Sequence, residues 1–402
     1  MSQALNIRAI ESVFDRSRGE GEHVPSHRAS THTIRAGSDD EAFMLFTGAT
    51  GFVGNVLLAE LLKRGHRCLV LIRPPKQDRQ TKLVESLTIQ GIDAQRLIQT
   101  GHLRTLGGSL PDGLPQTIPQ KISRVIHVAG STRFNPDPGG EPSRTNDEGT
   151  RQLLRWMDTH EIYEIHHVST AYVFGQSQVH APESVPATPP NFRNVYERSK
   201  WEGERHVWRW GQRPSNRWTI YRPSIVVGDS QTGRATRFGG PYLAFRFLDA
   251  LGRSSHIHPD RPFRIGGSPD ANLNMIPVDY VAELIASIIE HPRSQARVYN
   301  LVHPDPISTK ALLAMFEGLF GVPCDHFEEM DNPEQSGCTP AEKKFITATR
   351  HLHAYLDQPT YFERGNTARV EKMMSRSCPT WDEPAIHRLI QYARKQDWGR
   401  TP

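Results

Sequence analysis

The chain is 402 residues long, with 37% hydrophobic and 23% charged residues and a formal net charge of +4 with histidine neutral. That content is enough to bury a large core, as one big domain or two smaller ones, and it excludes disorder as the default state. So small a net charge makes no case for nucleic acid as a partner, although a mildly basic protein favours anionic small molecules.

Four cysteines, Cys68, Cys324, Cys338 and Cys378, form no CxxC pair, which argues against a zinc ribbon or a disulfide framework and for a reducing, cytoplasmic compartment. No run of about 18 apolar residues is present to span a bilayer. The N-terminus carries Glu11, Asp15, Glu20 and Glu22 where a signal peptide needs an apolar core. No metal site is expected at His23, His27 and His32, which lack supporting ligand types.

In chain order, residues 1–40 are polar and irregular and read as a flexible N-terminal tail. Residues 41–229 read as a dinucleotide-binding domain. An apolar run at Ala42–Phe46 leads through Gly48–Gly54 into Val53, Leu57 and Leu61, a helical stripe ended by Gly65. Cys68–Ile72, Val125–Val128 and Ile165–Val168 read as buried parallel strands, with helical segments between them such as Thr150–Met157. This alternation predicts an α/β fold, a doubly wound parallel sheet of the Rossmann type. Residues 230–402 read as a smaller α/β substrate-binding lobe. It opens with Gly- and Pro-rich loops, then gives a helix at Tyr280–Glu290 with Asp279 as its N-cap, a strand at Val298–Val302, and a helix to Phe320 capped by Ser308.

Thr47-Gly48-Ala49-Thr50-Gly51-Phe52-Val53-Gly54 spaces three glycines as GxxGxxG between a strand and a helix. The first permits the sharp turn, the second lets backbone approach a pyrophosphate, and the third lets the helix pack on the strand. A site for NAD places an acidic residue at the end of the second strand to hold the ribose 2′-hydroxyl. Here the strand ends at Arg73 and no acidic residue occurs from Lys63 through Gln77. Arg73, with Lys76, suits a 2′-phosphate, so NADPH is the expected cofactor.

Tyr196-Glu197-Arg198-Ser199-Lys200 puts a phenol and an ammonium four residues apart, on one face if helical. It follows Val168-Ser169-Thr170-Ala171, where a strand end delivers hydroxyls to the carboxyl edge of the sheet. Lys200 is expected to pull the Tyr196 pKa down. Thr170 is expected to stabilise a developing oxyanion and Tyr196 to donate a proton.

On TGATGFVG (47–54), HVAG (127–130), TNDEGT (145–150), VSTAYV (168–173), YERSK (196–200) and YRPSIVVGDSQTG (221–233), the chain resembles the extended short-chain dehydrogenases over nearly all of residues 43–399. RPSIVVGDSQTG, NMIPVDYVA (274–282) and YARKQDWG (392–399) make it most similar to the thioester-reductase branch, which includes fatty acyl-CoA reductases and the reductase domains of carboxylic acid reductases. The resemblance implies Gly48, Thr50, Gly51, Phe52, Val53 and Gly54 at the pyrophosphate and Arg73 at the 2′-phosphate. It implies Ala129 near the adenine ribose, Lys200 on the nicotinamide ribose, Pro223 and Val226 beside the nicotinamide, and Asn146 bracing the active-site helix. Relatives usually carry Gly-Asp-Leu after the third strand, with the Asp touching adenine; Gly101-His102-Leu103 is read as the departure from it.

The leading expectation is NADPH-dependent reduction of an acyl thioester, on coenzyme A or an acyl carrier protein, to aldehyde or alcohol. Arg193, Arg205, Arg209 and Arg213 are candidates to meet a phosphate or an acidic carrier, against a solvated helix face. Alternatives are an NAD(P)-dependent alcohol or sterol dehydrogenase, a sugar-nucleotide epimerase, or a non-catalytic NADP(H)-binding redox sensor.

Overall fold

A computed structural model describes residues 42–400 apart from 75, 177–179, 254–262, 267, 292–295, 324–325, 329–336, 354 and 356–359. The tail 1–40, with its three histidines, lies outside the described residues, as do Cys324 and the side chain of Lys76.

Seven strands form one parallel sheet: β1 (Phe43–Thr47), β2 (Cys68–Ile72), β3 (Leu103–Gly107), β4 (Ile122–His127), β5 (Glu164–Val168), β6 (Arg217–Pro223) and β7 (Arg297–Leu301). Their order is β7-β6-β5-β4-β1-β2-β3, the doubly wound arrangement expected. Every residue of β1 and β5 is buried, because a parallel sheet is covered on both faces; β1 is apolar up to Thr47, whereas β5 buries Glu164, His166 and His167.

The two faces are covered by different helices. Met44 and Phe46 point into a core shared with α1 (Phe52–Lys63) and with α5 (Val278–Glu290), which supplies Val281, Leu284, Ile285 and Ile288. Phe43 and Leu45 point into a second core with Leu153 and Met157 of α3 (Gly149–Thr159) and Val207 and Trp210 of α4 (Val195–Trp210). The period-2 alternation of Cβ directions sends neighbouring residues to opposite sides. Helix α2 (Lys76–Ile89) follows β2 and puts Leu83 and Leu87 into the first core.

Past residue 229 the chain does not stay in one lobe. Helix α5 packs on α1, and β7 pairs in parallel with β6, Val298 opposite Ile220. The stretch 278–301 therefore completes the Rossmann sheet. The helix Gly365–Met374 also packs on α5 and β7, with Val370 in the first core; much of the remainder builds a third core in which Tyr242, Phe245 and Leu248 meet Phe316, Ile386 and Leu389. Phe245 is fully buried there and Phe247 packs on Phe263 and Phe345. The helix expected to Phe320 runs Thr309–Phe320 with Ser308 as its N-cap, accepting from Ala311 N. The N-cap of α5 is Pro277 rather than Asp279. Asp279 sits in the first turn, and its carboxylate accepts from the backbone N–H and the hydroxyl of Ser230 at 2.8 and 2.6 Å. That contact ties the GDSQTG loop to NMIPVDYVA, two motifs far apart in sequence.

The turn after β1 is set by sterics. Gly48 has φ +79°, and a Cβ on it would lie 2.4 Å from Ala129 N; a Cβ on Gly54 would lie 2.1 Å from Gly48 O. Both neighbours are backbone and cannot yield cheaply. Gly54→Ala is expected to lower stability by about 1–3 kcal/mol through overpacking. Gly107→Ala, with open space at its Cβ, is expected to stay near wild type; denaturant midpoints of the two variants check the contrast.

Candidate active site

The order of strands reverses beside β1, whose neighbours are β2 on one side and β4 on the other. Crevices at such switch points, beyond the carboxyl ends of the strands, are where open α/β sheets hold ligands. Thr47 stands opposite His127 there. The Thr47 hydroxyl bonds His127 Nδ1 at 2.8 Å and accepts from Ala129 N at 3.2 Å, which seats Ala129 against Gly48.

A groove runs along this edge in two compartments that share Gly48, Gly51, Gly130 and Arg237 in their walls. The larger, of about 480 Å³, is lined by Thr50, Arg73, Arg79, Ser109 and Ala129 among others. At its floor, α1 starts at Gly51 with no side-chain cap and no acidic residue in its first turn, so its dipole and free N–H groups are offered to an anion. Arg73 is exposed at the end of β2, as expected. Arg79, on α2, joins it, and its Nε is buried with no hydrogen-bond partner among the described residues.

The Gly-Asp-Leu position needs correction. Gly101-His102-Leu103 leads into β3 rather than following it, and His102 bonds Thr100 at 3.0 Å. The segment that leaves β3 and lines the groove is Gly108-Ser109-Leu110.

The smaller compartment, of about 270 Å³, brings together Phe52, Val53, Gly54, Thr170, Tyr196, Lys200, Pro223 and Val226. Thr170 leaves β5 and caps a short turn, Ala171–Phe174, accepting from Tyr172 N. Asn194 caps α4 by accepting from Glu197 N at 3.0 Å, and the helix then presents Tyr196 and Lys200 one turn apart. Thr170 and Tyr196 line this compartment together, and Thr170 acts on the phenol to lower its pKa. Phe134 meets the Tyr196 ring edge-on, centroids 5.9 Å apart. Asn146 donates to Ser131 O and Ser199 Oγ at 2.8 and 2.9 Å and accepts from Ser131 N at 2.8 Å, bracing α4 as expected.

Electrostatics differ from expectation in one respect. Lys200 Nζ donates to Val168 O at 2.7 Å rather than to the phenol. Burial pushes the Tyr196 phenol up to about 12, with Thr170 opposing and Glu197 adding to the rise. The expected depression by Lys200 is absent, because the ammonium is aimed at a carbonyl. Burial also brings Lys200 itself down to about 8, against the pull of Glu204 one turn along. Glu204 is held in a fully buried pair with Arg222, 2.6 and 2.8 Å, and Arg222 also reaches Pro182 O and Ser184 O.

Two hydroxyls in this compartment escaped sequence reasoning. Ser169 Oγ and Ser224 Oγ are buried without a hydrogen-bond partner among the described residues. An unmet buried hydroxyl costs about 1–3 kcal/mol, so each calls for a ligand or water. Their signal was available in VST and RPSI, but as neighbours of Thr170 and Pro223 they looked like spacers. The basic residues singled out on α4 and beside it are largely engaged within the chain. Arg193 bonds Gly175 O and Glu197, Arg205 bonds Ala187 O and covers Trp201, and Arg213 pairs with Asp158.

Glycine turn, hydroxyl pair and buried lysine on one switch-point groove define the extended short-chain dehydrogenase class of nicotinamide-dinucleotide oxidoreductases. The chain belongs to the NAD-binding family described as male sterility protein, whose family model matches residues 46–285. It is 27% identical over 296 residues to glycine betaine reductase ATRR of Emericella nidulans, covering 68% of this chain and 22% of that protein's length. In structure it is similar to the terminal R domain of the myxalamid PKS-NRPS pathway, with TM-score 0.73, 23% identity, and 89% and 92% of the two chains covered. It is also similar to a thiolation-reductase di-domain of an archaeal non-ribosomal peptide synthetase, with TM-score 0.67, 18% identity, and 89% and 76% covered. None of the described helices is long and apolar enough to cross a membrane.

Proposed function

We propose that the protein reduces acyl thioesters, carried by coenzyme A or an acyl carrier protein, to aldehyde or alcohol with NADPH, in the cytoplasm. The observation that carries this is the convergence of Thr170, Tyr196 and Lys200 on a compartment that shares its wall with the glycine turn. The relatives' names, a glycine betaine reductase and a thiolation-reductase di-domain, point the same way. Buried thiols at Cys68 and Cys378 suit a reducing compartment.

The residues fit the cofactor. Gly48, Thr50, Gly51, Phe52, Val53 and Gly54 would hold its pyrophosphate at the uncapped start of α1. Arg73 and Arg79 would hold the 2′-phosphate, Ala129 would lie by the adenine ribose, Lys200 would bond the nicotinamide ribose, and Pro223 and Val226 would flank the nicotinamide. When bound, NADPH supplies a hydride to the thioester carbonyl carbon.

The protein's part is proton and charge management. Thr170 and Tyr196 take the carbonyl oxygen between their hydroxyls and stabilise it as charge develops. Tyr196, kept protonated by its high pKa, gives that oxygen its proton. On collapse of the hemithioacetal the C–S bond breaks and the hydroxyl proton leaves with the thiol. One hydride and one proton thus account for one aldehyde and one thiol. The lobe formed by the remaining residues of 230–402 is assigned to the acyl and carrier ends of the substrate.

The reading is tested by thioester-dependent loss of NADPH absorbance across coenzyme A and carrier substrates. Oxidation of a secondary alcohol with no thioester turnover would favour an alcohol dehydrogenase instead. Absence of any turnover would favour a redox sensor.

A pH dependence follows from Lys200. Its pKa of about 8 keeps it charged below that pH and neutral above it. The profile of kcat/KM is expected to be level toward neutrality and to fall about tenfold per pH unit above 8 as the ammonium is lost. A rate still rising beyond pH 8 would contradict the role given to that charge.

A further inference from the structure

We propose that Arg237 is a clasp over the dinucleotide pyrophosphate, an inference that rests on the cofactor reading above. Arg237 lies in the glycine-rich loop before the helix Pro241–Gly252, some 180 residues from the glycine turn. It lines both compartments of the groove, together with Gly48 and Gly51. A side chain that shares both compartments with the phosphate-binding turn stands where they join.

The loop is anchored on either side of this residue. Before it, Asp229 Oδ1 accepts from Gln231 N, Thr232 N and the Thr232 hydroxyl, at 3.1, 2.8 and 2.7 Å. Gly233 fits so tightly against Arg388 O that a Cβ would lie 2.3 Å from it. After it, Phe238 packs edge-on against Tyr242 at 5.3 Å. The backbone is therefore positioned while the Arg237 side chain stays exposed, with no hydrogen-bond or ion-pair partner among the described residues.

Other charges on the larger compartment are accounted for. Asp137 pairs with Arg133, and Glu141 accepts from Thr145. Arg73 and Arg79 sit on β2's end and α2, where the 2′-phosphate is expected. The start of α1 provides N–H donors and a partial positive charge beneath a pyrophosphate, and Arg237 adds a full charge and a planar fork of donors from a second segment of the chain. A guanidinium held without a partner beside an uncapped helix start is suited to a dianionic bridge rather than to a carbonyl or a hydroxyl.

Titrations of the full chain with three probes separate this from the alternatives: NADPH, NADH and adenosine 2′-phosphate, the last lacking a pyrophosphate. Affinities are read from nucleotide fluorescence or heat of binding, without turnover. Arg237→Ala is expected to weaken NADPH and NADH by the same factor, roughly ten- to a hundredfold, the range of a charge-assisted hydrogen bond. It should leave adenosine 2′-phosphate unchanged, and Arg237→Lys should recover part of the loss. Unaltered binding of both dinucleotides by Arg237→Ala would overturn the proposal, as would a loss confined to NADPH and adenosine 2′-phosphate. Wild-type protein that binds none of the probes would overturn the cofactor reading itself, and this inference with it.

Discussion

Replacing Tyr196 by Phe is expected to lower thioester reduction roughly a thousandfold, within the range of about 10²–10⁴ that a positioned general acid contributes, while cofactor affinity holds. The substitution keeps the ring, its edge contact with Phe134 and its place one turn from Lys200. It removes one oxygen, the phenol that shares the compartment with Thr170. Because that phenol sits near 12, it is a proton donor at neutral pH and not a phenolate, so its loss removes a proton and a hydrogen bond together. Steady-state kinetics alongside NADPH titration separates the two effects. An enzyme that keeps its rate without this hydroxyl takes its proton from elsewhere, and the hydroxyl pair would then be only a structural contact.

The second large effect is on cofactor choice. Arg73→Ala and Arg79→Ala are each expected to weaken NADPH roughly ten- to a hundredfold, the range for hydrogen bonds to a charged group, and to leave NADH nearly unchanged. Arg73 is a solvent-exposed guanidinium at the strand end; Arg79 reaches the same compartment from α2 with its Nε buried and unmet among the described residues. A dianion between them would satisfy both, and a ribose hydroxyl would not. Parallel binding isotherms for the two cofactors measure this directly. Equal losses for NADPH and NADH would move both arginines away from the 2′-phosphate.

What was legible in the sequence is what local sterics and periodicity enforce. Gly48 and Gly54 declare themselves because no Cβ fits beside Ala129 N and Gly48 O. Tyr196 and Lys200 share a face because their spacing is one helical turn, and β2 was read to the residue as Cys68–Ile72 because a doubly covered strand is an apolar run. What was not legible depends on contacts between distant segments. Asp279 looked like an N-cap and instead holds Ser230. The strand Arg297–Leu301 carries no mark that sends it back beside β6. The Gly-Asp-Leu position was misplaced because β3, Leu103-Arg104-Thr105-Leu106-Gly107, is half-exposed and carries no apolar run to mark it. Nothing in the sequence singles out Arg79 or Arg237; the fold places them on one groove. The direction of the Lys200 side chain, toward Val168 O, was equally invisible.

The most direct measurement uses NADPH deuterated on its nicotinamide ring, an acyl thioester and the purified protein, with products read by mass spectrometry and free thiol counted in the same sample. The account predicts deuterium on the former carbonyl carbon of an aldehyde or alcohol, with one thiol released per thioester reduced. Thiol released without deuterium in the acyl product, or no change in the thioester at all, would contradict it.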